Sequence, residues 1–279
     1  MKYRIVGDSC LDPTEEVKRD PHFRVVPLTL EVGETRVIDD ETFDQKKFLK
    51  LVADSPAGAK TACPSPERFM QEFDGDADCV FVVTLSSHLS GSYNSACVAK
   101  KMYEEEHGGE KKIEVIDSRS ASCGELNIAL TIRDLCEREL PFEEIVREAY
   151  AYRDRMQTYF VLESLDTLRK NGRLSGLSAF IATTLNIKPV MAGDKGVIVK
   201  LSQERGINKA LTRMVKIALE KAGETASKRL IIAHVNNPAR AEFVRDLMCR
   251  ANQFREVLIT NAAGVATVYA ADGGIVMTL

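Results

Sequence analysis

Cys79-Val80-Phe81-Val82-Val83-Thr84-Leu85-Ser86-Ser87-His88-Leu89-Ser90-Gly91-Ser92-Tyr93-Asn94-Ser95 leads into Ala96-Cys97-Val98-Ala99-Lys100-Lys101-Met102-Tyr103. The apolar run Cys79–Val83 reads as a buried strand and Ala96–Tyr103 as a helix. Between them lies a loop rich in hydroxyls. Gly91 allows a tight turn there, and Ser92 is placed to cap the helix. A strand that passes through a loop into a helix is the unit of an α/β fold, and ligands sit at the carboxyl ends of its strands. The helix start offers free N–H groups and the positive end of the dipole, so with the hydroxyls the loop suits a carboxylate or a phosphate. A serine-rich turn that only caps a helix has the same local sequence, so the rest of the chain has to decide.

Upstream, Tyr3–Gly7 reads as the first strand. It enters Asp8-Ser9-Cys10-Leu11-Asp12-Pro13, an acidic turn that caps a helix from Thr14. Phe23–Leu30 reads as a second strand with Pro27 near an edge, and Glu31–Glu34 turns it into Thr35–Ile38 as a hairpin. Asp40 or Thr42 then starts a helix through Phe48, Leu49, Leu51 and Val52. Lys60-Thr61-Ala62-Cys63-Pro64-Ser65-Pro66 is a second loop. Ser65 caps the next helix, Pro66 is its first residue and Glu67 lies in its first turn. Thr61 falls in a stretch that the prolines hold extended, with its hydroxyl free to face a ligand.

Downstream, Ile113–Ile116 is a strand ending in Asp117-Ser118-Arg119-Ser120, and Leu126–Leu135 and Phe142–Tyr152 are helices. This βα alternation implies a mainly parallel sheet. From Gln157 the character changes. Tyr159–Leu162 is a short strand, Glu163–Arg173 a helix closed by Gly172, and Ser178–Leu185 another helix. Lys188–Met191 and Gly196–Lys200 form a hairpin around Gly193-Asp194-Lys195. Ile207–Ala222 is a long amphipathic helix. Leu230–His234 and Glu256–Thr260 are strands flanking a helix over Pro238–Arg250, and Ala266–Tyr269 and Ile275–Met277 finish the chain. The expected fold is two α/β domains, residues 1–156 and 157–279, the first with a mainly parallel sheet.

A chain of 279 residues is long enough to bury a sizeable core. A net charge of -3 gives no electrostatic reason to expect nucleic acid. No apolar run reaches the length of a membrane span, and Met1–Asp8 enters a strand pattern without a signal-peptide layout, so a cytoplasmic protein is expected. The seven cysteines are odd in number and scattered, which argues against a disulfide framework or a structural zinc site. The four histidines show no ligand spacing, so no metal and no cofactor are expected.

Taken together, the loops resemble the DegV family over essentially the whole chain. The residues that carry this are Gly7-Asp8-Ser9, Lys60–Pro66, Leu85–Ala96, Val115-Ile116-Asp117-Ser118, Gly172-Arg173-Leu174-Ser175, Lys188-Pro189 and Arg205–Ala210, in the family's order and spacing. The resemblance implies a long-chain fatty acid in a tunnel between two α/β domains. It also implies a carrier without a complete active site, which presents the carboxylate to a separate ATP-binding kinase subunit for acyl-phosphate formation. Transient contact with a membrane surface stays open. The family's carboxylate site carries over to Thr61, Ser90, Gly91 and Ser92. Ala62, Ser65, Arg173, Arg205 and Tyr269 fall at further ligand or partner positions, although solvated or C-capping arginines fit Arg173 and Arg205 equally. Two departures stand out. Ala62 replaces a family serine, and Tyr269 replaces the family histidine, so a neutral phenol stands where a titratable ring is usual. Phe160, Leu162, Ile181, Leu185 and Ile187 are candidate tunnel walls.

Two other functions find only partial support in the sequence. A serine hydrolase would use Ser92 or Ser90 with His88 as base, but no glycine lies two residues before or after Ser92, and no acid is placed to orient His88. A nucleotide binder would need a phosphate loop of the G-x-x-x-x-G-K-[ST] type, which the sequence lacks.

Overall fold

The computed structural model describes residues 1–174, 186–250 and 252–279. In chain order the first half comprises β1 (Tyr3–Asp8), α1 (Glu15–Arg19), β2 (Phe23–Val26), β3 (Thr29–Val32), β4 (Thr35–Ile38), α2 (Gln45–Asp54), β5 (Ala59–Ala62), α3 (Pro66–Gln71), β6 (Cys79–Thr84), α4 (Ser92–His107), β7 (Lys112–Asp117), α5 (Cys123–Glu137) and α6 (Phe142–Arg155). The second half comprises β8 (Thr158–Val161), α7 (Asp166–Lys170), β9 (Ile187–Asp194), β10 (Val197–Arg205), α8 (Ile207–Ala222), β11 (Arg229–His234), α9 (Pro238–Cys249), β12 (Glu256–Asn261), α10 (Gly264–Ala270) and β13 (Ile275–Thr278).

The first sheet is parallel throughout, in the order β2-β1-β6-β7. The second runs β10-β9-β8-β13-β11-β12, antiparallel except for the β11–β12 pair. A small antiparallel sheet, β4-β3-β5, stands apart. The mixed α/β architecture expected from the sequence is therefore the observed one.

The continuous apolar run of β6 follows from cover on both faces. Val80 and Val82 pack with Phe69, Ala96 and Ala99 of α3 and α4. Phe81 and Val83 point the other way, into a layer built from α5 and α6. That layer reaches the second sheet, because Ile231 and Ala233 of β11 belong to the same cluster. The far face of the second sheet is covered by α8 and α9 through Leu211, Met214, Ala241 and Val244. Helix α5 is thus enclosed by sheet on both sides, and eleven of its residues are buried. Leu126, Ile128, Leu130 and Ile132 are all at most 1% exposed, and each contributes roughly 1.5–3 kcal/mol by leaving water. Arg229 adds a polar tie across this seam. Its guanidinium, 2% exposed, bonds Asp134 of α5 at 2.7 Å and Glu256 of β12 at 2.5 Å.

Several local expectations are corrected. Phe23–Leu30 is not one strand: Pro27 lacks an N–H, and the chain passes there from β2 in the parallel sheet to β3 in the small one. The Lys60–Ala62 loop is an edge strand, β5, with Thr61 opposite Leu30. Helix α2 starts later than expected, with the Asp44 carboxylate accepting from the Lys47 N–H. The helix read from Glu163 is only α7, and Gly172 follows it at φ 75°. The Lys188–Lys200 hairpin is longer than its apolar core, and its tight turn is at Lys195-Gly196. Ser92 is the first residue of α4, while Gly91 is the cap at φ -76°, so no left-handed turn is needed there. The glycine instead makes room for a neighbour, since a Cβ at that position would lie 3.0 Å from Cys63 Sγ. The helix expected over 178–185 lies outside the described residues.

Candidate functional site

The site is built at the carboxyl ends of β1 and β6. Asp8, the last residue of β1, is fully buried, and its carboxylate accepts from the Cys10 and Leu85 N–H groups at 3.0 Å each. This fixes where the loop after β6 begins. Ser86 then donates its Oγ proton to the Gly196 carbonyl at 2.8 Å, and Ser87 Oγ donates to Asp117 at 2.5 Å. The N–H groups of Leu89 and Ser90 fold back onto the Ser86 carbonyl at 2.9 and 3.1 Å. Ser90 Oγ accepts from the Ser92 N–H at 3.2 Å, which orders the first turn of α4.

The opposite wall is α10. Asp39 accepts from the Gly264 and Val265 N–H groups at 2.6 and 2.9 Å, and Asp12 accepts from the Ala263 N–H at 2.5 Å. Two carboxylates therefore cap the start of this short helix. Only glycine fits at 264, because a Cβ would lie 2.5 Å from Leu30 Cδ1 and 2.6 Å from Asp39 Oδ1. Burial pushes the Asp39 carboxyl up to about 6, against the hydrogen bonds from Ser9, Gly264 and Val265 that favour its charge. Burial likewise pushes Asp8 and Asp12 up to about 7.

At its other end α10 presents Tyr269, whose hydroxyl lies 2.9 Å from Thr61 Oγ1. Arg173 lies over the Tyr269 ring, 5.7 Å from its centroid. The guanidinium is held by the Leu89 carbonyl at 3.1 Å and the Asn171 carbonyl at 2.6 Å. Two hydroxyls and a fixed cation thus meet at one place, a set of donors suited to an anionic oxygen group.

That place opens into a partly enclosed cavity between the ends of β1 and β6 and α10. Its walls are largely apolar, among them Leu28, Leu85, Phe160, Leu162, Ile198 and Val265. Elsewhere the cavity meets a polar groove that shares Arg119, Thr158 and Gly193 with it.

Of the residues singled out from the sequence, Thr61, Ser90, Arg173 and Tyr269 line the cavity. Ser92 is buried within hydrogen-bond reach of Asp8 and is not among the lining residues. Gly91 sits against Cys63. Ala62, Ser65 and Arg205 are exposed and outside the lining. Phe160 and Leu162 line the cavity, Ile187 does not, and Ile181 and Leu185 lie outside the described residues. His88 packs at the hairpin turn, where a Cβ on Gly196 would lie 3.0 Å from its ring, while Ser90 Oγ faces Ser92 Oγ at 3.3 Å. The pairing that a serine hydrolase needs is not assembled among these residues. Sequence reasoning missed Asp12 and Asp39 as the clamps of α10. Asp39 only precedes the helix start read at Asp40 or Thr42, and nothing local points to a partner 225 residues away.

A family model described as "Uncharacterised protein, DegV family" matches residues 2–278. The chain belongs to the DegV family. A DegV domain-containing protein of Streptococcus gordonii is 36% identical over 281 residues, covering 99% of this chain and 98% of that one. Among solved DegV structures, a Ruminococcus gnavus protein refined with vaccenic acid has a TM-score of 0.96 and 43% identity, with 99% of each chain covered. The Streptococcus pneumoniae fatty acid kinase (Fak) B3 protein, loaded with linoleic acid, has a TM-score of 0.91 and 32% identity, with 100% of this chain and 99% of that one covered. Among the described residues of this DegV chain, no helix is long and apolar enough to cross a membrane.

Proposed function

We propose that this DegV protein is a carrier that binds a long-chain fatty acid in the cavity and presents the carboxylate to a separate ATP-binding kinase subunit, where the acyl phosphate forms. The observation that carries the reading is the joining of a largely apolar cavity to the donor set Thr61, Ser90, Tyr269 and Arg173. The fatty acids bound by its structural relatives support it. The energetics fit such a ligand. Each buried methylene is worth roughly 0.8 kcal/mol, so the chain supplies most of the affinity. Charge-assisted hydrogen bonds then offset the desolvation of the carboxylate.

In this reading residues 1–156 carry the head-group loops and residues 157–279 cover the acyl chain. Tyr269 and Thr61 hold the carboxylate as neutral donors, Ser90 adds a third hydroxyl, and Arg173 supplies the charge.

The test begins with the protein as purified. Denaturation, solvent extraction and mass spectrometry should recover about one fatty acid per chain, as a single-site carrier requires. An empty extract, followed by no uptake of added oleic or palmitic acid, refutes the binding function. Presentation is tested separately, by acyl-phosphate formation from the loaded protein, ATP and a bacterial fatty acid kinase subunit.

A further inference from the structure

The interior beside the cavity holds four carboxyl groups, on Asp8, Asp12, Asp39 and Glu125, each at most 3% exposed. Three of them are satisfied. Asp8 accepts from the Cys10 and Leu85 N–H groups, Asp12 from Ser122 Oγ and the Ala263 N–H, and Asp39 from the Gly264 and Val265 N–H groups. Glu125 differs. It lies in the first turn of α5 at 0% exposure, and neither of its carboxyl oxygens has a hydrogen-bond partner. The charges acting on it are those of Asp8 and Asp12, both negative, and the one favourable group nearby is the Asp8 N–H, which lies outside good hydrogen-bond geometry. A buried carboxylate with such neighbours is costly unless something positive joins it.

The donors around that position make a set. One carboxyl oxygen each of Asp8 and Glu125, and the Sγ of Cys10, all lie within 4.8 Å of one another. They come from the end of β1, the turn that follows it and the first turn of α5. Beyond the Cys10 and Leu85 N–H groups and the Ser92 hydroxyl, the Asp8 carboxylate keeps one lone pair for an ion. Cys10 also lines the cavity, which gives an entering ion a route.

We propose that Asp8, Cys10 and Glu125 bind one divalent transition-metal ion. Its chemical class follows from the donors. One thiolate with two carboxylates suits zinc, or cobalt in its place, better than magnesium or calcium, which take oxygen alone. The ion replaces the thiol proton and neutralises most of the charge that the three ligands carry. It staples α5 to the end of β1, so its role is structural.

The experiment uses the full chain, purified without chelators and then also stripped with one. Elemental analysis is expected to find close to one zinc per chain in the first preparation. Cobalt added to the second is expected to give a near-ultraviolet sulfur-to-cobalt band. Glu125→Gln is expected to bind zinc at least about 100-fold more weakly, and Cys10→Ser to lose the cobalt band. A folded wild-type chain that takes up neither metal overturns the proposal and leaves Glu125 protonated. Cobalt bound without the sulfur band overturns it as well, because the thiolate is then not a ligand. The wild-type measurements stand even if a variant fails to fold.

Discussion

Replacing Thr61 by Val removes one hydroxyl and keeps the β-branched shape that strand β5 needs. The lost group is the one 2.9 Å from the Tyr269 hydroxyl, at the head of the cavity. If both hydroxyls donate to the fatty acid carboxylate, each loss removes a hydrogen bond to a charge, worth about 1.5–3 kcal/mol. That corresponds to roughly a 10- to 150-fold weaker dissociation constant for Thr61→Val, and the same for Tyr269→Phe. The two groups also touch each other, so their effects should not add. In the double variant the loss should fall short of the sum by about 0.5–3 kcal/mol. The assay is titration of delipidated protein with oleic acid, read by displacement of a fluorescent fatty acid. Thermal midpoints of the three variants should stay close to the parent's, since neither hydroxyl supports the core. Single variants that both bind within about twofold of the parent would refute the head-group assignment, because a lost charged hydrogen bond costs more than that.

Gly264→Ala puts a Cβ against Leu30 and Asp39 at 2.5–2.6 Å; it should cost about 1–3 kcal/mol or more by overpacking and lower the thermal midpoint, and an unchanged midpoint would contradict the packing described. Asp39 titrates near 6 in the folded chain against 3.8 in the ordinary case, so the native state holds the proton more tightly. Its contribution, about 3 kcal/mol, is therefore full below about pH 4 and is lost as pH rises through about 6. Urea unfolding at both ends of that window should show a smaller decline for Asp39→Asn than for the parent, and equal declines would count against the burial argument. Arg229→Met removes the cation shared by Asp134 and Glu256, yet Asp134 keeps Arg255 at 2.7 Å and both acids are a quarter to a third exposed. We therefore expect about 2–3 kcal/mol in urea unfolding, below the cost of stranding a fully buried charge, and a loss under about 0.5 kcal/mol would mean the network is idle.

How much could be read from the sequence depended on whether a signal was local. β6 announced itself because both its faces are covered, which forces an unbroken apolar run. β5 did not, because Ala59-Lys60-Thr61-Ala62 is an edge strand whose alternation carries almost no hydrophobic contrast. Pro27 was legible as an edge residue, but not as the point where the chain leaves one sheet for another. Within the site, the Ser90 loop was readable from its strand-loop-helix context, and Thr61, Arg173 and Tyr269 through the resemblance to DegV proteins. Ser92 was drawn inward instead, because Asp8 lies beneath the loop and no spacing reveals that. Asp12 read as part of an acidic turn, and Asp39 and Glu125 carried no signal at all. Their burial comes from α10 and β11, which return from the far end of the chain.

Helix α5, clasped by a sheet on each side, also governs how a guest gets in. A protein whose halves meet only across a ligand cleft can open like jaws. Here the halves share one apolar layer, so a hinge along that seam would tear Leu126, Ile128 and Leu130 out of contact with both sheets. At roughly 1.5–3 kcal/mol for each such side chain, that opening is strongly disfavoured. Any opening of the fold therefore has to leave this seam intact, while the spine stays shut.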